Sequence, residues 1–229
     1  MASLNNIYLF VNDCYEAVVD NIEKDIVSSF SKYIDNNNDK ANEYASHLNV
    51  VKEALKSDLE FFFNSDPAAN SLDEIKLAYP GFLAISYHRI AHPLYILGYK
   101  VESRFVAEQA HKITGIDIHP GATIGVPFFI DHGTGIVIGE TTIIGERVKL
   151  YQGVTLGALS LSKGHNLKGI KRHPTIGNDV TIYSGASILG DVNIGDDVII
   201  GSNVFITENV PPHTKVRIVA PELIFKTKE

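Results

Sequence analysis

Residues 116–157 read IDIHPGATIGVPFFIDHGTGIVIGETTIIGERVKLYQGVTLG, and residues 176–206 read IGNDVTIYSGASILGDVNIGDDVIIGSNVFI. Counted in sixes, aliphatic residues recur at Ile118, Ile124, Ile130 and Ile136. After a two-residue slip they return at Ile138, Ile144, Leu150 and Leu156, and after a longer interruption at Ile176, Ile182, Ile188, Ile194, Ile200 and Ile206. Glycine often follows that residue (Gly125, Gly139, Gly145, Gly157, Gly177, Gly195, Gly201). A small or β-branched residue often stands four beyond it, as at Ala122, Thr134, Val148, Val180 and Val198. A strand alternates with a period of about 2 and a helix with one of about 3.6, so neither produces this pattern. Short flat segments that each bury one side chain and then turn do produce it, and they wind as a parallel β-helix.

Upstream the pattern is helical. Ile7, Tyr8, Val11, Tyr15, Val18, Val19, Ile22, Ile26 and Phe30 fall at three- and four-residue spacing, which predicts one helix ending at Asp35-Asn36-Asn37-Asn38-Asp39. A second helix is expected over Ala41 to Phe63. Ser71 with Glu74 fits a capping box for a third, starting at Leu72. Pro80-Gly81 is read as its end, Phe82 to His92 as a fourth helix, and Val101 to Thr114 as a fifth closed by Gly115. Pro93 and Gly98 are read as breaks. These observations divide an α+β chain into an N-terminal all-α domain, 1–115, and a β-helix domain with a C-terminal tail, 116–229. Residues 158–174 are read as one protruding loop, since Leu156 to Ile176 spans twenty residues against about eighteen for a full three-sided turn. A last strand is expected at Val216 to Val219 and a short helix at Pro221 to Lys226.

Composition narrows the function. A formal charge of −7 and a pI near 5.7 argue against nucleic acid or an anionic membrane as partner. Cys14 is the one cysteine, which excludes an internal disulfide and a thiolate zinc cluster. Neither a signal peptide nor a membrane-spanning run is legible, so the expectation is a soluble, cytoplasmic protein.

Three polar clusters interrupt the repeat. They are Asp117 with His119-Pro120; Asp131-His132-Gly133-Thr134-Gly135 with Gly139-Glu140; and Lys171-Arg172-His173-Pro174. Residues flanking an inward isoleucine point outward, so Asp117 and Asp131 face out and His132 falls at the following corner. Asp117 and His132 are fifteen residues apart, which sets them near each other on adjacent turns of the coil. A carboxylate that accepts from one imidazole nitrogen leaves the other as a base. Such a base takes the proton of a hydroxyl as its oxygen attacks an ester or thioester. Asp131 is the poorer orienting group on this reading, because neighbours in a strand diverge. Against all this, a lone histidine at a turn is more often a packing residue, and Asp at a corner commonly serves turn geometry. His88, His92, His111 and His119 carry less weight than His132 and His173. The residues by themselves mark a site without naming a reaction.

The run from Asp117-Ile118-His119-Pro120 through Asp131-His132-Gly133-Thr134-Gly135 to Gly139-Glu140-Thr141 resembles the serine O-acetyltransferases. So do Gln152-Gly153-Val154-Thr155-Leu156-Gly157, Arg172-His173-Pro174 and Val210-Pro211-Pro212-His213-Thr214. In the helical part, Asp66-Pro67-Ala68 and Tyr87-His88-Arg89-Ile90-Ala91-His92 resemble the same family. The resemblance implies a left-handed coil that transfers acetyl from acetyl-CoA to the L-serine hydroxyl. The products would be O-acetylserine and CoA, in the first step of cysteine biosynthesis. It implies His132 as general base oriented by Asp117, Asp66 and Asp131 on the substrate ammonium, and Arg172 on its carboxylate. His173 would grip the substrate or the oxyanion, with Glu140 among the substrate-binding residues. CoA is expected in a groove between neighbouring coils of a trimer, against Gly157, Ala158, Ser184, Gly185, Gly201 and Ser202. No metal and no permanently bound cofactor are implied, because the thioester is already activated. L-cysteine is the implied feedback inhibitor in the serine site, and the implied assembly is a homotrimer or a dimer of trimers.

Several positions depart from the family pattern. Asn70 stands where a second Asp is common, and the loop before Arg172 is longer than in the common bacterial form. Arg217-Ile218-Val219-Ala220-Pro221 replaces a Gly-containing turn. The sequence ends Lys228-Glu229 rather than in Ile, which argues against docking to O-acetylserine sulfhydrylase. Other readings are a hexapeptide acetyltransferase acting on a sugar hydroxyl, a zinc hydrase using His119, His132 and His173 across a subunit boundary, and an inactive scaffold. Asp66 and Arg172 favour an amino-acid acceptor, which needs paired opposite charges.

Overall fold

The computed structural model describes residues 2–159 and 169–219. Six helices come first: α1 (Leu4–Val18), α2 (Ile26–Tyr33), α3 (Asn38–Ser65), α4 (Leu72–Ala78), α5 (Pro80–Ile96) and α6 (Lys100–Thr114). The run predicted as one helix from Ile7 to Phe30 is two. α1 stops at Val18, and the Asp25 side chain caps α2 by accepting from Ser28 N–H at 3.0 Å. Ile22, assigned by its spacing to a buried face, lies in the connection and is exposed. Ser71 caps α4 as expected, accepting from Glu74 N–H at 3.1 Å. The returning carboxylate of Glu74 takes the backbone N–H of Asn70 instead, at 2.7 Å. Pro80 opens α5 as its first residue, and Pro93 lies inside that helix without ending it. Pro93 forfeits one helical hydrogen bond, and its ring is buried. Gly115 closes α6 in the left-handed conformation (φ 70°).

Among the described residues fourteen short strands then wind a left-handed parallel β-helix of about five turns. The first face carries β1 (Asp117–Ile118), β4 (Val137–Ile138), β7 (Thr155–Gly157), β10 (Ser187–Leu189) and β13 (Phe205–Ile206). The second carries β2 (Thr123–Ile124), β5 (Ile143–Ile144), β8 (Thr175–Ile176) and β11 (Asn193–Ile194). The third carries β3 (Phe128–Asp131), β6 (Val148–Tyr151), β9 (Thr181–Ile182), β12 (Ile199–Ile200) and β14 (Lys215–Val216). Each register stacks the repeat residues, as in Ile118 on Ile138 on Leu156. All of these repeat residues are buried.

The two irregularities of the period are corner insertions. From Ile130 on the third face to Ile138 on the first is eight residues instead of six. The extra pair lies in the corner 132–136, so Ile136 is a buried corner residue and Thr134 an exposed one. Leu156 and Ile176 lie on successive faces of one turn. The twenty-residue interval therefore replaces a single step of six, and not a full turn as the count suggested. Residues 160–168 and the expected helix at 221–226 lie outside the described residues. The final strand is shorter than expected and starts one residue earlier, at Lys215.

The helices sit on the first turn of the coil. Buried Asp58 on α3 pairs with Arg89 on α5 through Nε at 2.5 Å and Nη2 at 2.9 Å. Asp58 also accepts from Phe128 N–H at 2.9 Å, and Arg89 donates to the Ile124 and Gly125 carbonyls. Burial raises the Asp58 carboxyl, against the pull of the guanidinium. One apolar cluster runs from Ile7 through the helices to Val210. No helix among the described residues is long and apolar enough to cross a membrane.

Candidate active site

The corner between third and first faces carries the first group. The two-residue insertion puts His132 in the left-handed conformation (φ 55°) and leaves its side chain 71% exposed. Because His132 is in that turn and not in the strand, its ring bends back, and Nδ1 lies 3.5 Å from Asp131 Oδ1. The predicted divergence of these neighbours therefore does not occur. Asp66, the residue that closes α3, is near enough for His132 to favour its charged form. Its Oδ2 accepts from the Tyr79 hydroxyl at 2.7 Å and its Oδ1 from Ala68 N–H at 2.8 Å. The Tyr79 bond, more than the Ala68 bond, holds the Asp66 carboxyl below the usual range, and the same bond pushes Tyr79 up to about 12. Tyr151 stands beside Asp131 in register and stacks on Tyr183 at 5.1 Å.

Asp117 lies on the first face one turn away from this corner. Its backbone N–H donates to Ile136 O at 2.9 Å, and Gly135 N–H donates to Gly115 O at 2.8 Å. Its carboxylate is 3.9 Å from Arg104 of α6. Among the described residues no hydrogen bond or ion pair joins Asp117 to His132.

The opposite edge of the first face carries the second group. Glu140 pairs with Arg172 and accepts from the Tyr95 hydroxyl of α5 at 2.7 Å. Burial alone would raise the Glu140 carboxyl, but hydrogen bonds from Arg172 and Tyr95 outweigh it and hold the group low. Thr141 anchors the chain that leads into β8. Its Oγ1 accepts from Arg172 N–H at 3.0 Å and His173 N–H at 3.2 Å. Thr141 N–H donates to His173 Nδ1 at 3.1 Å, and its hydroxyl lies 2.8 Å from the same atom. An Nδ1 that accepts a backbone N–H is unprotonated, so the neutral ring carries its proton on Nε2. Burial first, then the charges of Arg172 and Lys171, push His173 down to about 4. It is therefore a neutral donor at pH 7. Its ring lies against Gly139, where any Cβ would overlap it.

The predicted residues thus divide between two edges of one face. Asp66, Asp131 and His132 stand at one edge; Glu140, Arg172 and His173 at the other. The residues expected to line a CoA groove divide the same way. Gly157 ends β7 and Ala158 follows it, while Ser184, Gly185, Gly201 and Ser202 stack below the His132 corner, with Ser184 Oγ 3.3 Å from Ser202 Oγ. Of the remaining histidines, His88 is buried, His92 Nδ1 meets Pro120 O at 2.7 Å, and His111 meets Glu108 at 3.2 Å. His119 Nδ1 accepts from Gly121 N–H at 3.0 Å. Within one chain His119 and His173 share an edge that His132 does not. Among the described residues the one group of donors close enough to share an ion is Glu108, His111 and Asp117, where Arg104 already pairs with Glu108. Tyr79, Tyr95 and Thr141 escaped the sequence reading. Each acts through its side chain on residues distant in the sequence, and no spacing announces these contacts.

The family described as bacterial transferase hexapeptide (six repeats) matches residues 173–208. A plasmid-encoded serine acetyltransferase of Synechococcus elongatus is 53% identical over 152 residues, covering 65% of this chain and 48% of that protein. The serine acetyltransferase of Bacillus pumilus is 45% identical over 162 residues, covering 71% of this chain and 72% of the relative. The crystal structure of serine acetyltransferase isoform 3 from Entamoeba histolytica, in complex with cysteine, superposes with a TM-score of 0.78 at 36% identity. It covers 99% of this chain and 86% of that one. The match thus spans about half the length of the Synechococcus relative and nearly three quarters of the Bacillus one. With that identity, that coverage and the shared coil, the chain belongs to the serine acetyltransferase family.

Proposed function

We propose that the protein transfers an acetyl group from acetyl-CoA to the hydroxyl of L-serine, giving O-acetylserine and CoA. The observation that carries this reading is the sorting of charge along the first face. Two carboxylates beside an exposed imidazole stand at one edge, and a guanidinium beside a neutral N–H donor at the other. An amino acid held between them offers its ammonium to Asp66 and Asp131 and its carboxylate to Arg172. Its hydroxyl is then left to His132. In one chain the edges are separated by the width of the face. The functional unit is accordingly a homotrimer, in which the His132 edge of one copy meets the Arg172 edge of the next. The same packing makes a groove for CoA from Gly157 and Ala158 of one copy and Ser184, Gly185, Gly201 and Ser202 of its neighbour. The divide at residue 116 separates the helical unit from the catalytic coil.

His132 takes the serine proton as Oγ attacks the thioester carbonyl. Asp117 orients the imidazole on closure, since catalytic hydrogen bonds tighten once substrate is bound. His173 Nε2–H donates to the oxyanion, as its fixed tautomer suits it to do. The intermediate then expels CoA thiolate, which recovers a proton from His132. The reaction takes place in the cytoplasm without a resident metal or cofactor, and L-cysteine competes at the serine site. Asn70, engaged with Glu74, lies outside the ammonium site. CoA thiol release from acetyl-CoA with and without L-serine tests the reading. Release that depends on a sugar but not on serine would discard the roles of Asp66 and Arg172.

A further inference from the structure

Tyr95, near the C-terminal end of α5, reaches the coil in a way that none of these roles uses. Its hydroxyl donates to one oxygen of Glu140 at 2.7 Å, and the other oxygen accepts from Arg172. The ring is itself fixed. Lys100 Nζ sits 3.0 Å from its centroid, and the His119 ring meets it edge-on at 5.7 Å. Gly121 leaves the space it needs, since a Cβ there would stand 2.9 Å from Tyr95 Cζ. One turn earlier on α5, His92 Nδ1 meets the Pro120 carbonyl at 2.7 Å. Helix α5 thus grips this corner at two successive turns.

We infer that Tyr95 is a positioning residue for Arg172, acting through Glu140 to keep the guanidinium presented to the acceptor's carboxylate. The inference rests on the reaction proposed above. A guanidinium binds a carboxylate best through two parallel N–H bonds, and Glu140 is itself a carboxylate able to take both. The Tyr95 hydroxyl draws one Glu140 oxygen toward α5, so Glu140 holds Arg172 Nη2 through the other alone, while Arg172 Nη1 donates to the Ile170 carbonyl at 3.3 Å. Without the hydroxyl, Glu140 turns both oxygens to Arg172 and competes with the substrate.

Tyr95→Phe keeps the ring and removes only the hydroxyl. In the full chain, KM for L-serine should rise about tenfold, while kcat and KM for acetyl-CoA change less than about twofold. In a Glu140→Gln background the same substitution should move the serine KM by less than about twofold. An unmoved serine KM in Tyr95→Phe overturns the relay, as does an equal rise in both backgrounds. A parallel loss in kcat, both KM values and Tm also overturns it, by making Tyr95 merely structural. If the unsubstituted chain releases no CoA in response to serine, the proposed reaction falls and the relay with it.

Discussion

The two edges of the first face are built on opposite plans. The His132 edge is open: its imidazole is exposed, held by a left-handed backbone turn and a 3.5 Å approach to Asp131. The Arg172 edge is braced. Thr141 takes two successive backbone N–H groups and fixes the His173 tautomer, while Glu140 and Tyr95 hold the guanidinium. The contrast follows the chemistry proposed for each. A base has to receive a proton and give it back, whereas an anion site works best when its donors are already in place. Both edges lie where the coil departs from its six-residue period, by two residues at His132 and by fourteen before His173. The regular hexads hold the fold, and the irregular corners carry the residues to which the proposed chemistry is assigned.

If the open edge supplies the base, His132→Ala should lower kcat by at least about a hundredfold, read by thiol release. Serine activity that survives in this variant would sink the mechanism while leaving the family intact. On the braced edge, Arg172→Lys keeps the charge and loses the fork. It should raise the serine KM by roughly ten- to a hundredfold with kcat little changed. An unaltered KM would remove Arg172 from the carboxylate site. Thr141→Val, of similar shape, should reduce kcat/KM about tenfold, with Thr141→Ser recovering most of it. Equal losses in both variants would mean that the hydroxyl is not the anchor.

The smallest effect is on stability. His173 titrates at about 4 in the folded chain against an ordinary 6.5. Between those values the unfolded chain binds a proton that the folded one refuses. Stability therefore falls as pH is lowered through the window and returns as pH rises. The melting temperature of His173→Gln should drop less between about pH 7 and about pH 5 than that of the unsubstituted chain. Parallel curves would place the ring in a more open setting.

Much of this was legible beforehand, and unevenly. The coil could be read to the residue at most hexads, because a period repeated so often overrides local preference. The corner carrying His132 showed itself as a slip in that count. The break between α1 and α2 was overrun by a helical spacing that happened to continue through Ile22, although the Asp25 cap was there to see. The size of the second insertion was misjudged because a count cannot tell which face a residue occupies. What stayed hidden are the partners joined across the fold, such as Tyr79 with Asp66, Tyr95 with Glu140 and Arg89 with Asp58. Their sequence separations follow from packing and leave no periodic trace. Nor could the repeat reveal that an Asp117 aimed at His132 by spacing would have Arg104 at 3.9 Å instead.

The central claim is that one site is made from the His132 edge of one chain and the Arg172 edge of another. It is tested most directly by mixing two inactive variants, His132→Ala and Arg172→Ala, unfolding and refolding them together in equal amounts, and measuring serine-dependent CoA release. If each site spans two chains, about a quarter of the interfaces pair two intact edges, and activity should return to about that fraction of the unsubstituted level. If both edges of each site belong to a single chain, the mixture will be no more active than its two components, and the account fails.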